Sequence, residues 1–420
     1  MNSAAFPVPQ RERIDSLDLL RGFALLGILM MNIQTFAMPF AAYFNPTAYG
    51  DLTGANYWAW FLTHVLFDQK FMTIFSLLFG AGIVLFTQRV EAGGASATAM
   101  HYRRTLWLLL IGLIHAYLLW VGDILVLYAL CALAVFWFRK RSPRMLLAVG
   151  LIFLTLGSAI SLAGGFALPQ MPAAEREEMR LSDWQPPAEK IQEELAAYRG
   201  AWRAQLSHRV PLVFEFQTFV ILVWGFWRAG GLMLVGMALF KWGVLRGDCS
   251  PAFYRGVAAA GAGLGWPLIL YGVHRNEAAG WDFNFSFFFG VQFNYWGSLL
   301  VSGAYIAVLL LIHKSGALGW LTRRLRAVGQ MAFTNYLMQT LLCITFFYGP
   351  GFGLFGSVAR AGQVLTVLGV WVAQLVWSPY WLARFRYGPF EWLWRSLTYW
   401  RWQPMQRSLS DTGQAASTIS

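Results

Sequence analysis

The sequence predicts an all-α fold, a polytopic membrane bundle of about ten transmembrane helices with both termini in the cytoplasm. Three observations carry this. Of the 420 residues, 57% are apolar and 12% charged, whereas a soluble domain carries roughly 25% charged residues. Apolar stretches of bilayer length recur along the chain. The Lys and Arg residues fall in short clusters between those stretches, which is the signature of membrane topology. So little charge on so long a chain excludes an ordinary soluble enzyme, a disordered chain and a nucleic-acid-binding domain, despite a net charge of +12. No nucleic-acid partner is expected; the expected partners are membrane lipids. The 21 Trp and 34 Phe suit a lipid-facing surface with interfacial aromatics. Cys131, Cys249 and Cys343 are odd in number and lie in or beside apolar segments, so no disulfide framework is implied.

A crossing helix needs about 20 mostly apolar residues. The first expected span is 18–38. The polar lead before it, with Arg11 and Arg13, resembles a signal peptide. The apolar run is too long for one and holds Asp18 and Arg21 at its start, so a retained helix is the better reading. Residues 56–69 are apolar but too short to span, and suit a half-helix or an interfacial helix. Spans at 71–88, 104–122, 124–138 and 145–166 complete an N-terminal half, 1–166. Residues 167–211 form the one sizeable extracytoplasmic segment. After Pro186-Pro187 it reads as an amphipathic helix, with Ile191, Leu195, Tyr198, Trp202 and Leu206 at helical spacing. Such a helix rests on the outer leaflet or bundle mouth, or acts as a lid. The C-terminal half, 212–405, holds spans at 212–240, 253–273, 287–312, 329–348 and 362–383. The first of these is longer than one crossing and contains Arg228-Ala229-Gly230-Gly231, which suits a kink or break. Residues 406–420 are rich in Ser, Thr and Gln and read as a disordered tail.

Alternation from a cytoplasmic N-terminus places 21 of the 32 basic residues on the inner side. The short outer connections hold only Lys70, Arg275 and Arg360. In 167–211, six basic residues are offset by seven acidic ones.

Ionisable groups at membrane depth are expensive and mark function by default. Asp18 and Arg21, three apart on one helical face, form either a snorkelling pair or a fixed cation for a phosphate or carboxylate at the cytoplasmic mouth. His115 lies eleven residues past Arg104, in the outer half of its span, and Asp123 follows two turns later. The two either share a cavity or hold the bundle together. His64 and Asp68, four apart, flank the second span with Lys70, and Asn32 can reach the same region. Asn335, Tyr336 and Gln339 form a polar stripe in the ninth span, of a kind that most often serves interhelical hydrogen bonding. Glu391 and Arg395, in an aromatic segment, either cap the bundle or help close a cytoplasmic entrance. No metal, Walker, nucleophile-elbow or dinucleotide motif is present.

These motifs resemble the bacterial YeiB family. The resemblance rests on Ser16-Leu17-Asp18-x-x-Arg21-Gly22, Phe75-x-x-x-x-Gly80-x-Gly82, Gly112-x-x-His115 and Gly122-Asp123-Ile124-Leu125-x-x-Tyr128-Ala129. Gly329-x-x-x-x-Thr334-Asn335-Tyr336-x-x-Gln339 and Gly388-Pro389-x-Glu391-Trp392-x-Trp394-Arg395 look like the family's C-terminal domain, DUF418. The likeness runs from about residue 11 to 402. It implies a multi-pass protein of the bacterial inner membrane. It also implies kinship with transmembrane acyltransferases, namely acyltransferase family 3 and the heparan-glucosaminide N-acetyltransferase group, which share the Leu20-Arg21-Gly22 element. Acyltransferase family 3 carries a histidine eleven positions after that arginine, where this chain has Asn32. The heparan group has Asn there and takes its histidine from before the second span, near His64.

On that resemblance the expected activity is acyl transfer from cytoplasmic acyl-CoA, such as acetyl-CoA, to a periplasm-facing glycan, lipid or small molecule. Arg21, Arg103 and Arg104 would hold phosphates, with Asp18 and Asn335 beside them. His115 or His64 would act as base, supported by Asp123 or Asp68. Asn32, Gln339, Glu391 and Arg395 would line the cavity. The rival reading is a transporter or flippase without covalent chemistry. A homodimer is compatible with either.

Overall fold

In the computed structural model, residues 13–407 are described. Arg11 and the expected tail from 408 onward lie outside the described residues. Seventeen α-helices follow in order: α1 (Asp15–Ala37), α2 (Ala41–Phe44), α3 (Gly54–Leu66), α4 (Lys70–Ala92), α5 (Ala97–Ile114), α6 (Leu125–Val135), α7 (Pro143–Ala167), α8 (Ala173–Met179), α9 (Ala188–Arg199), α10 (Trp202–Glu215), α11 (Phe226–Lys241), α12 (Pro251–Ala278), α13 (Val291–Ser315), α14 (Gly319–Gln330), α15 (Ala332–Phe347), α16 (Arg360–Arg384) and α17 (Pro389–Tyr399). The fold is all-α, as expected. The expected spans fall mostly on helix, but that at 329–348 straddles the break between α14 and α15, and that at 104–122 loses its helix after Leu119. Among the described residues, seven helical stretches are long and apolar enough to cross a membrane. The stretches at 125–138 and 332–347 are apolar but shorter, and the expected span at 104–122 is not among the seven, so crossing at these three, and the count of ten with them, stands as a proposal.

Helix α1 is the central element, buried along most of its length. It packs on α4 from its own half and on α14, α15 and α16 from the other, while α11 packs on α4 and α7. The two sequence halves therefore interdigitate. Glycines from the recurring motifs permit the closest crossings. A Cβ on Gly22 would collide with the Leu325 carbonyl, and one on Gly329 with the Asp18 carbonyl, so α1 and α14 touch backbone to backbone. Gly80 and Gly236 do the same for α4 and α11.

Two expectations are corrected. The break at Arg228–Gly231 does not occur: α11 runs regularly through it, and a π-helical stretch, Phe216–Gly225, absorbs the irregularity one turn earlier. Arg228 is fully buried; its two terminal nitrogens donate to the Tyr295 carbonyl at 3.1 Å and to Ser298 Oγ at 2.8 Å, while its Nε has no hydrogen-bond partner among the described residues. The amphipathic helix after Pro187 is two helices, because Gly200 and Ala201 adopt extended backbone between α9 and α10. Leu195 and Tyr198 pack inward as their spacing predicts, but Trp202 beyond the break is exposed. The short helix expected at 56–69 is present as α3, and Gln69 takes a left-handed conformation between it and α4.

Helices α9 and α10 lie over the end of the bundle opposite the arginine clusters. Arg209, 0% exposed, donates to the carbonyls of Tyr117, Leu118 and Leu119 at 3.2, 2.9 and 2.7 Å. These are the last carbonyls of the helix α5 and the π-turn His115–Leu119, which have no partners of their own. Glu194 accepts the Phe40 N–H at 3.0 Å, and Tyr198 stacks on Phe355.

Candidate functional site

A cavity of about 320 Å³ enters the bundle at its arginine-rich end. Its mouth is ringed by Arg13, Arg21, Arg89, Arg104 and Arg395, with Asp18 and Glu391. Arg21 donates to Asp18 Oδ1 at 2.7 Å, so the expected pair forms and still faces the opening. The Arg104 guanidinium lies 4.3 Å from the Trp394 ring and 4.7 Å from that of Phe86. Cation–π contacts orient it without neutralising it. Arg395 lies over Tyr387 in the same way, at 4.6 Å. Five cations outnumber two carboxylates here, so the mouth suits an anion such as a phosphate.

Beyond the mouth the cavity becomes an apolar shaft between Leu25 and Ile28 of α1 and Phe75 and Phe79 of α4. Asp18, Arg21, Leu25 and Ile28 recur at helical spacing on one face of α1. At 1.5 Å per residue the distance from mouth to Ile28 is about 15 Å. The shaft closes on Tyr128, Ile124 and Tyr336.

Directly behind Tyr336 lies His115, its ring centroid 5.2 Å from that of the tyrosine. His115 is 1% exposed. Its Nδ1 is 2.6 Å from Asp123 Oδ2, and its Nε2 is 3.0 Å from Thr340 Oγ1. Asp123 also accepts the Val126 N–H at 2.9 Å, which fixes the carboxylate at the start of α6. A carboxylate facing Nδ1 favours the tautomer that carries the ring proton on Nδ1. Nε2 then presents a lone pair to the Thr340 hydroxyl. This is the tautomer a general base requires, with the orienting carboxylate in place. The expected His115–Asp123 pair is thus formed, and the π-turn at 115–119 sets its direction.

The second expected pair forms too, but elsewhere. His64 Nδ1 is 3.2 Å from Asp68 Oδ2, with 24% and 21% of the side chains exposed. Asn294 donates to Asp68 at 2.7 Å, and the fully buried Lys70 donates to Asn294 Oδ1 at 2.8 Å and to the His64 carbonyl at 2.7 Å. None of these residues lines the cavity.

Several expected site residues sit outside it. Asn335 is fully buried between helices, donating to the Val328 carbonyl and Ser378 Oγ and accepting from Trp377 Nε1. Gln339 donates to Gln374 and to the Leu25 carbonyl. Both are interhelical ties, the commonest use of polar residues in packed membrane helices. Arg103 points away from the shaft, donating to the Thr398 carbonyl and lying over Trp400. Asn32 is half-buried, one turn beyond Ile28. Glu391 lines the mouth, but its carboxylate accepts the Phe333 and Thr334 N–H groups and the Thr334 hydroxyl, capping α15. Burial raises its pKa, and those hydrogen bonds oppose the rise.

Tyr336, Arg89 and Thr340 complete the cavity and its far wall. Tyr336 stood in a stripe read as structural, and nothing in the sequence singled out Arg89 or Thr340.

The model of a protein family of unknown function, DUF418, matches residues 239–401. The chain is 33% identical to the uncharacterized protein YeiB of Escherichia coli, over 92% of this chain and 96% of that protein. It is 30% identical to the uncharacterized protein YxaH of Bacillus subtilis, over 96% of this chain and 99% of that one. No solved structure matches it significantly.

Proposed function

The chain belongs to the YeiB family of DUF418 proteins, and from that premise we propose that this multi-pass membrane protein is an acyl-CoA-dependent acyltransferase of the bacterial inner membrane. The observation that carries the reading is the alignment of three parts: a basic mouth, an apolar shaft and a His–Asp pair directly behind the tyrosine that closes the shaft. Arg21, Arg104 and Arg395 hold the phosphates of the donor on the cytoplasmic side. The shaft takes the pantetheine arm, which is long, thin and mostly uncharged. His115 accepts the proton of an incoming hydroxyl or amine, and Asp123 stabilises the imidazolium that results. The acceptor, a glycan, lipid or small molecule, arrives from the side covered by α9 and α10. Those helices must lift for it to enter, which agrees with the burial of His115 when they are closed.

The His64–Asp68–Asn294–Lys70 network supports a second reading, a transporter whose polar core carries a substrate or proton. Transport releases no thiol, so the two readings separate experimentally.

Binding of acetyl-CoA to detergent-purified protein, measured by calorimetry, tests the proposal. A charge-assisted hydrogen bond is worth about 1.5–3 kcal/mol, or roughly 10- to 100-fold in affinity. Arg104→Gln should weaken binding by that factor, and Arg21→Lys by less, since charge survives but the planar fork is lost. Absence of binding by the wild-type protein would refute the reading.

A further inference from the structure

The closed end of the shaft carries two tyrosines, and they differ in what their hydroxyl protons do. Tyr128 Oη is 2.7 Å from Ser76 Oγ and 3.4 Å from the Met72 carbonyl, so its proton has an acceptor. Tyr336 Oη instead accepts a hydrogen bond, from the Ile124 N–H at 3.3 Å. Its own proton has no acceptor among the described residues. The side chain is 5% exposed, and the residue lines the cavity. A buried hydroxyl held as an acceptor on one side is left to donate on the other. The ring packs on His115 at 5.2 Å, so the imidazole lies directly behind the tyrosine that closes the shaft.

We propose that Tyr336 is a catalytic residue of the acyl transfer, donating its O–H to the carbonyl oxygen of the bound thioester. This rests on the acyltransferase reading. As the acceptor's oxygen or nitrogen bonds to the carbonyl carbon, negative charge develops on the carbonyl oxygen. The Tyr336 hydroxyl, already oriented by Ile124, stabilises that charge. The acceptor's proton passes to His115 Nε2. Collapse of the tetrahedral species breaks the carbon–sulfur bond, and the leaving thiolate takes the proton from His115. The products are the acylated acceptor and free CoA thiol, with no other reactant consumed. Removing one preorganised donor of this kind costs about 10²–10³-fold in turnover.

The variant is Tyr336→Phe, which keeps the ring and its packing. Two readouts keep the outcomes distinct. The first is the infrared carbonyl band of [1-¹³C]acetyl-CoA bound to the protein. It should lie at lower frequency in wild type than in Tyr336→Phe. The second is CoA thiol release, which should fall about 10²–10³-fold in the variant. Failure of the wild type to bind acetyl-CoA would remove the acyltransferase reading itself. Binding with one carbonyl frequency in both proteins, or turnover of Tyr336→Phe within twofold of wild type, would overturn the role of Tyr336 alone. Should Tyr336→Phe fail to fold, 3,5-difluorotyrosine at this position retains the shape and makes the hydroxyl a stronger donor. The carbonyl band should then move further down, and an unmoved band would again overturn the proposal.

Discussion

Arg209→Ala should loosen the cover over the closed end of the shaft without touching the shaft. The guanidinium makes three hydrogen bonds of 3.2, 2.7 and 2.9 Å, all to consecutive carbonyls at the end of one helix. That end carries the negative pole of the helix dipole, where a cation is favoured. Truncation leaves three carbonyls without a donor. An orphaned buried group costs about 1–3 kcal/mol. Water entering from the nearby surface can satisfy one or two of them, so a net loss of roughly 3 kcal/mol is expected. The assay is apparent melting in detergent followed by tryptophan fluorescence, with limited proteolysis across 188–215. Arg209→Ala should melt well below wild type and be cut faster in that segment. Arg209→Lys should fall between, because one ammonium cannot span three carbonyls. Equal melting and equal cleavage of Arg209→Ala and wild type would refute the claim that this arginine holds the cover.

Three further outcomes are expected. Burial pushes the Glu194 carboxyl up to about 7 from its ordinary 4.5, partly offset by the Phe40 N–H. Its protonated form is therefore the one the fold favours: the contribution is full below about 4.5 and lost as pH rises through about 7. Glu194→Gln should melt near wild type at pH 5 and above it at pH 8, and a difference independent of pH would contradict this. Gly22→Ala forces α1 from α14 and should cost about 1–3 kcal/mol, the usual range for overpacking, read as a lower melting temperature. Asn335→Leu loses three hydrogen bonds and should lower melting while leaving acetyl-CoA affinity unchanged; weakened binding would return Asn335 to the site.

Spacing along one helix was the most legible feature of the sequence. Asp18 with Arg21 and His64 with Asp68 meet because three or four residues make one turn. His115 meets Asp123 across the turn that ends α5. The apolar stretches located every long helix. What one chain's spacing cannot say is which neighbour a helix face meets. Asn335 and Tyr336 are adjacent in sequence, yet their side chains point about 100° apart. The first is spent on α16 and the second closes the cavity. Glu391 and Arg395 share a face, but the α15 N-terminus offers the carboxylate better-placed donors than the arginine does. Arg209 read as one more charge in a solvated segment, because its carbonyl partners lie about 90 residues away. The interruption near Arg228 was misplaced, because adjacent glycines also permit the close packing of Gly231 against Gly150.

The most direct test of the acyltransferase account is release of CoA thiol from acetyl-CoA by purified wild type, His115→Ala, Asp123→Asn and His64→Ala in lipid nanodiscs. The acceptor is supplied as a lysate-derived glycan and lipid fraction. A general base contributes roughly 10²–10⁴-fold. The account predicts measurable wild-type turnover, a loss of that size in His115→Ala, a marked loss in Asp123→Asn, and a milder effect in His64→Ala, with acetyl-CoA binding preserved in all three variants. Full turnover by His115→Ala with a dead His64→Ala would contradict it and move the chemistry to the His64–Asp68 pair.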